Sequence, residues 1–299
     1  MSTVSREVKG NCKYKRCYRA AAAEQKAQNT RHRQKQLKKL EENVRLKDCV
    51  LEKLRLKWSP QEIAKRLKTD YATGMTMRAS YETIYTYLYC LPRGSLKKEL
   101  LKCLRQERKF RHSRKASHAK RSTITDFISI SERPEEVKDR IIPGHWEGDL
   151  IMGNKKSNTA LGTLVERTTR YLLLVPLDAH DAPTVRTAFA KALKSIPNFL
   201  KKSLTYDRGT EMAQHKLFTQ DTKIQVYFAD PHSPWQRGTN ENTNGLIRQY
   251  FPKGIDFRTV SNQEIRHAQN QLNDRPRKAL EYLKPDEVFS QLLINPNLR

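Results

Sequence analysis

Apolar and polar positions alternate along this chain with two different periods. As far as about residue 92 the spacing is helical. "STVSREVKGN" reads as a short helix, with Ser2 or Ser5 as its cap and an end near Gly10. "YRAAAAEQKAQNTRHRQKQLKKLEENVRLKDCVLEKLRLKW" is rich in Ala, Gln, Lys and Leu and strongly helix-prone. Its apolar stripe is interrupted and starts late, at Leu37, Leu40, Val44, Val50, Leu51 and Leu54; residues 20–36 read as a solvated charged helix. In "WSPQEIAKRLK", Ser59 before Pro60 is a helix start reinforced by Glu62, with Ile63, Ala64 and Leu67 facing inward. A turn-rich insert, "TDYATGMTMRA", leads to "SYETIYTYLYC", whose core face is Ile84, Tyr87 and Leu88. This succession predicts a helix-turn-helix unit around 59–90.

From His145 the period shortens. "HWEGDLIMG" predicts a strand, and "NTALGTLVERTTRYLLLVPLD" two strands joined by a turn at Thr168–Arg170. "APTVRTAFAKALKSI" is an amphipathic helix begun by Asp181, and "SLTYD" a short strand ending in a polar "DRGTE" turn. "MAQHKLFTQDT" is read as helix and "IQVYFAD" as strand. Two helices follow, one in "SPWQRGTNENTNGLIRQYFPKG" and one begun by Ser261. The predicted order is β-β-β-α-β-α-β-α-α, a mixed α/β domain placed at 141–299, with the main boundary around 122–142.

Charge sharpens this division. The chain of 299 residues carries a formal net charge of +26. Residues 1–140 hold 36 Lys and Arg against 16 Asp and Glu; residues 141–299 hold 22 against 16. Residues 93–121 alone contain twelve basic and two acidic residues, and 93–140 read as a basic linker able to follow a phosphate backbone. Such asymmetry points to a polyanion, nucleic acid first, because neutralised phosphates release counterions. A membrane partner is disfavoured: no apolar run of about 18 residues occurs, and no apolar segment follows a charged start as a secretory signal requires. The five cysteines (Cys12, Cys17, Cys49, Cys90, Cys103) include no CxxC pair. Reduced thiols in a cytosolic protein explain them better than a metal set of Cys12, Cys17 and His32.

Three acids stand out against this basic background. Asp149 lies within the first strand, Asp207 where the fourth strand ends, and Glu241 at the start of the helix after the fifth. Neighbouring strands and a helix packed on them would bring the three together. Converging carboxylates repel unless hard cations lie between them. Open carboxylate sites suit Mg²⁺, and a pair of ions about 3.5–4 Å apart forms the clamp used in phosphoryl transfer.

"RGTNENTNGLIRQYFPK" resembles the signature of insertion-sequence transposases of the family named after insertion sequence thirty. "GHWEGD", "YDRGTE" and "YFADPHSPWQRG" resemble its other acid-bearing blocks, and Asp207 and Glu241 stand at the interval such enzymes favour. The resemblance covers most of residues 120–290. It implies a ribonuclease-H-like α/β catalytic domain, a mixed sheet flanked by helices, behind an all-α helix-turn-helix region. It further implies that Asp149, Asp207 and Glu241 hold two Mg²⁺ (or Mn²⁺) ions, and that the substrate is double-stranded DNA, both element ends and target. Metal-assisted hydrolysis would expose a 3′-OH at the element end, and that hydroxyl would attack a target phosphodiester. One chain carries one such site and two ends must be joined, so at least a homodimer on DNA is expected, in the bacterial cytoplasm and without a membrane partner.

Smaller expectations attach to neighbouring residues. Asn244 and Arg248 share a helix face with Glu241 and would look towards a DNA end. Asn240 and Asn242 position the acid, touch phosphate or simply cap the helix. His145 and Glu147 alternate onto the face of Asp149, as sheet-face residues or auxiliary groups. Trp146 points to the core. Trp235 stacks on a base or pins its loop, and His232 and Arg237 of the same loop would reach phosphate. In the second helix-turn-helix, Arg78, Tyr81, Glu82 and Thr83 are the DNA-facing positions. Family members open with a helix-turn-helix whose recognition helix resembles residues 1–11, so those residues read as the remnant of a first reader. Residues 12–92 are then the helical DNA-binding region. The alternative function is a truncated, non-catalytic DNA-binding regulator.

Overall fold

The computed structural model describes residues 3–12, 17–32, 38–105, 124, 126–154, 157–231 and 233–295. Its first helices are α1 (Thr3–Asn11) and α2 (Ala20–His32); residues 4–11 and 20–28 are exposed or half-buried except the buried Ala23. The long helical segment then breaks. α3 (Lys38–Glu42) and α4 (Val44–Arg55) are separated by Asn43, whose side-chain oxygen accepts from the Leu46 amide at 2.9 Å and starts α4 afresh. The restart shifts the inward stripe to Leu46, Val50 and Leu54 and leaves Val44 exposed; Leu37 lies outside the described residues.

α5 (Pro60–Asp70) begins in a capping box between Ser59 and Glu62, and α6 (Tyr81–Cys90) is capped by Ser80. Ile63, Ala64, Leu67, Ile84, Tyr87 and Leu88 meet in one core with Leu46, Val50 and Leu54. α7 (Ser95–Lys102) corrects the linker reading: eight of those residues are helical, because Leu100 is fully buried against the same core. Residues 106–123 of the basic run lie outside the described residues.

The second half follows the predicted order. β1 (His145–Met152), β2 (Ala160–Glu166) and β3 (Leu172–Leu177) form an antiparallel meander. α8 (Ala182–Leu193), β4 (Ser203–Tyr206), α9 (His215–Thr222), β5 (Gln225–Phe228), α10 (Gly238–Ile247), α11 (Asn262–Asn273) and α12 (Pro285–Ile294) complete the described elements. The sheet order is β3-β2-β1-β4-β5, antiparallel on the β2 side of β1 and parallel from β1 through β4 to β5. β2 is buried along its whole length because both faces are covered. Trp146, Leu164, Leu204 and Phe189 fill one side with Phe289 and Leu292 of α12, while Ile151, Leu161 and Val165 meet Leu246, Ile247 and Leu272 on the other. α12 was not among the predicted elements, although Pro285 followed by Asp286 and Glu287 marks a helix start.

Charged contacts fasten the N-terminal helices to this layered unit. Arg275, 1% exposed, pairs with Glu62 at 3.0 Å, and Arg66 grips both carboxylate oxygens of Glu287. Lys57 donates to the Gln249 carbonyl at 2.6 Å and lies 3.8 Å from the Tyr250 ring centroid.

Candidate active site

β1 and β4 are parallel neighbours with Glu147 level with Thr205. The same register carried two residues further sets Asp149 level with Asp207. Gly148 makes this close pairing possible: a Cβ there would lie 2.8 Å from Cδ2 of Tyr206, so only glycine admits the ring beneath the first acid. The two carboxylates share one cation. Arg237, on the turn entering α10, places Nη1 3.4 Å from Asp149 Oδ1 and Nη2 3.1 Å from Asp207 Oδ2. Nη1 also donates to the Gly148 carbonyl.

The electrostatics follow from this crowding. Burial pushes the Asp149 carboxyl up; Arg237 opposes that shift and Asp207 adds to it. Burial works against the Arg237 cation, but Asp207 and Asp149 together raise its pKa. The Tyr206 hydroxyl, fully enclosed, is raised well above its usual range by burial first and by the nearby acids next. Two acceptor atoms have no partner: Asp207 Oδ1 and Asn244 Oδ1 are buried and unbonded. Such acceptors at a carboxylate pair are what a hard cation satisfies.

Of the three predicted acids, two converge. Among the described residues no three His, Cys, Asp or Glu side chains come close enough to hold a metal ion. Glu241 stays on the exposed side of α10. It stands one turn before Asn244 on the same helix face, about 5–6 Å away between Cβ atoms, and Asn244 Nδ2 donates to Asp149 Oδ2 at 2.8 Å. Arg237 offsets only one of the two carboxylate charges, and the negative charge that remains disfavours a third acid beside them.

The remaining expected positions divide by partner. Asn244 and Arg248 turn towards protein rather than outward: Arg248 donates to the carbonyls of Met152, Phe251 and Pro252. Open acceptors at the ends of β1 and α10 are the reason. Arg237 is held by the acids. Arg78 is tied to the carbonyls of Tyr71 and Ala72, and Thr83 bonds the Ser80 cap. Tyr81, the first residue of α6, is 43% exposed. Trp235 is 70% exposed, and His232 lies outside the described residues.

His145 and Glu147 are structural. His145 pairs its Nδ1 with Ser203 Oγ at 2.8 Å, and burial, followed by Lys202, Arg167 and Arg133, pushes its ring down to about 4. Glu147, fully buried, accepts from Arg167 at 2.9 Å and from the Asn240 amide at 2.9 Å, so it anchors α10 to the sheet. Trp146 donates to the Leu200 carbonyl inside the core. Asn240 is on the buried face of α10 and donates to the Glu147 carbonyl, while Asn242 accepts from Arg105. Sequence reading passed over Glu211, four residues beyond Asp207. Burial raises its carboxyl, and the charges of Asp207 and Asp149 add to the shift. Its position in the same "YDRGTE" block was the available signal.

A mixed sheet with two acids at adjacent parallel strands, backed by helices on both faces, is a ribonuclease-H-like core. Residues 140–234 match the family model described as "Integrase core domain", a span that includes Asp149 and Asp207 and stops short of Glu241. The whole chain is 43% identical over 298 residues to the transposase for insertion sequence element IS1086 of Cupriavidus metallidurans, covering 88% of that protein. Over 97% of its length it is 43% identical to transposase InsI for insertion sequence element IS30A of Escherichia coli, covering 76% of it. Over 99% of its length it is 37% identical to the transposase for IS4351 of Bacteroides fragilis, covering 88%. The chain belongs to the insertion-sequence-thirty family of transposases, enzymes of polynucleotidyl transfer. No described helix is long and apolar enough to cross a membrane.

Proposed function

We propose that Asp149, Asp207 and Glu241 are the metal-binding acids of this transposase, acting on the ends of its insertion sequence and on target DNA. The observation that carries the reading is the sharing of one guanidinium by Asp149 and Asp207, 3.4 and 3.1 Å from it. Arg237 stands in for a cation, and the unbonded Asp207 Oδ1 is a further acceptor for one. The donor set is all carboxylate, which suits Mg²⁺ or Mn²⁺, with two ions expected. When bound, the ions supply Lewis acidity for phosphoryl transfer. Asn244 orients Asp149 through its amide, and Glu147 holds the start of α10, from which Glu241 would turn to the metal. Cleavage adds a water oxygen to phosphorus and breaks the P–O3′ bond, leaving a 3′-OH on the element. Joining forms a new P–O3′ bond at the target phosphodiester and expels the target's own 3′ oxygen.

In the same reading, residues 12–92 recognise the terminal repeats, with the helix-turn-helix of 59–90 presenting Tyr81. Residues 1–11 belong to a further reader, 93–140 follow the backbone between recognition and catalysis, and 141–299 carry out the chemistry. The enzyme works on DNA in the bacterial cytoplasm as at least a dimer. A second reading, a non-catalytic DNA-binding regulator, draws on one observation: Glu241 stands apart from the pair. Strand cleavage and joining on labelled element-end DNA with Mg²⁺ or Mn²⁺ separates the two. Metal-dependent joining that disappears in Glu241→Gln, with DNA binding kept, supports the catalytic assignment. End binding without any cleavage by the wild-type chain supports the regulator.

A further inference from the structure

α10 has two working faces. Glu241, Asn244 and Arg248 recur at helix spacing on the side of the acid pair. Thr239, Asn242, Thr243 and Leu246 recur on the opposite side, and there they line a cavity of about 550 Å³. The other walls bring five cations to it: Arg105 after α7, Arg140 before β1, Arg170 in the β2–β3 turn, and Arg277 and Lys278 after α11. One carboxylate, Glu62, also lines the cavity, but it already pairs with Arg275 and accepts from the Ser59 amide.

Among the described residues none of the five cations forms a salt bridge with a carboxylate. Arg105 donates to Asn242, Arg170 to Thr239 and Arg277 to the Leu272 carbonyl, all neutral acceptors. Arg277 is only 8% exposed, and Arg170 Nε is buried without any partner. Burial pushes the Arg277 guanidinium down to about 9, with the Arg275 charge adding to the effect. Arg170 is lowered by burial and then by Arg140, and Arg105 by burial and then by Arg275. The fold therefore gathers five cations around a single lining carboxylate, Glu62, at a place where α10 also turns its amide-rich start.

We propose that this cavity is a phosphodiester cradle that holds a backbone phosphate of the bound DNA, across the catalytic helix from Glu241. The inference rests on the reading of the protein as acting on DNA, and it adds a subsite to it. A helix is about 10–12 Å wide with its side chains, so α10 would lie between the reacting phosphate and a second, anchored one. Anchoring on the far side of the helix that bears Glu241 ties DNA engagement to the position of that acid.

The test uses the full chain with Lys278→Gln and Arg140→Gln, alone and together; neither side chain makes a hydrogen bond or salt bridge among the described residues. Lys191→Gln with Lys194→Gln, on α8 and just beyond it, is the matched control for lost charge. Fluorescence anisotropy with duplex DNA is followed from about 50 to about 200 mM salt. The cradle predicts that the double variant binds roughly eightfold more weakly per lost contact at about 0.1 M salt, with its salt slope reduced by about 1 for each. The control pair should keep the wild-type slope. Equal slopes in wild type and double variant, or an equal fall in the control pair, would overturn the proposal. Pyrophosphate at constant ionic strength distinguishes the source of the phosphate. Melting raised by pyrophosphate in wild type only, together with unchanged DNA binding by the double variant, would assign the cavity to a free phosphate and overturn the DNA cradle. A wild-type chain that binds no DNA would sink the DNA reading itself, whereas binding with an unaltered slope in the variants sinks only the cradle.

Discussion

Arg237→Gln tests how the site manages its own charge. In wild type the guanidinium lies 3.1 Å from Asp207 and 3.4 Å from Asp149. At an effective dielectric of about 20, each contact has a gross attraction of ~5 kcal/mol. Most of that is offset. Arg237 is 16% exposed and loses hydration, and Asp207, at 40% exposed, is partly screened by solvent. A net loss of ~1–3 kcal/mol in the metal-free protein is the resulting expectation, equivalent to ~2–4 °C in melting temperature per kcal/mol. The two acids then face each other uncompensated, which is the condition a divalent cation relieves. Thermal unfolding followed by circular dichroism, in chelator and in Mg²⁺ at matched ionic strength, reads both effects. The variant should melt lower than wild type in chelator, and the gap should narrow in Mg²⁺. If the variant melts at the wild-type temperature in chelator, or if Mg²⁺ leaves the gap unchanged, Arg237 does not stand where a cation binds.

Three further outcomes follow from particular contacts. Asn244→Ala removes the amide that orients Asp149 and should lower metal-dependent cleavage about 10–100-fold, with DNA affinity unchanged in an anisotropy titration. Gly162→Ala would drive a Cβ into the Phe189 ring in the core, and chemical denaturation should show a loss of ~1–3 kcal/mol. His145 is held neutral in the fold at about 4, while an unfolded histidine titrates near its ordinary value of 6.5. Stability is therefore fully present above about pH 6.5 and falls on acidification towards about pH 4, by up to ~1.4 kcal/mol per pH unit. Urea melts of His145→Gln should lack that slope; an identical slope would remove His145 from the account.

The parts of this molecule written in local chemistry were readable along the chain. Ser59, Ser80, Asp181 and Ser261 each begin a helix where sequence places it, because capping depends on a few neighbouring atoms. The succession of strands and helices along the second half and the inward set of Ile84, Tyr87 and Leu88 followed from the pattern along the chain. What long-range contact decides was not readable. α7 looks like basic linker until Leu100 is seen in the core, and Asn43 divides a helix that propensity alone would continue. At the site, the predicted strands and the family resemblance pointed to Asp149 and Asp207 but could not show that Arg237 bridges them. Nor could they show that Arg248 is spent on backbone carbonyls, since those acceptors are three, four and ninety-six residues away. The cationic cavity was equally hidden, because its five charges come from four separate stretches of chain.

The central claim is that Asp149 and Asp207 with Glu241 hold the catalytic cations. The most direct measurement is a crystal structure of the full chain with element-end DNA and Mn²⁺, with data collected at the manganese edge. The account predicts anomalous density between Asp149 and Asp207, Arg237 withdrawn from the pair, and Glu241 turned to the metal. Density elsewhere, or none at the pair with Arg237 still in place, would contradict it.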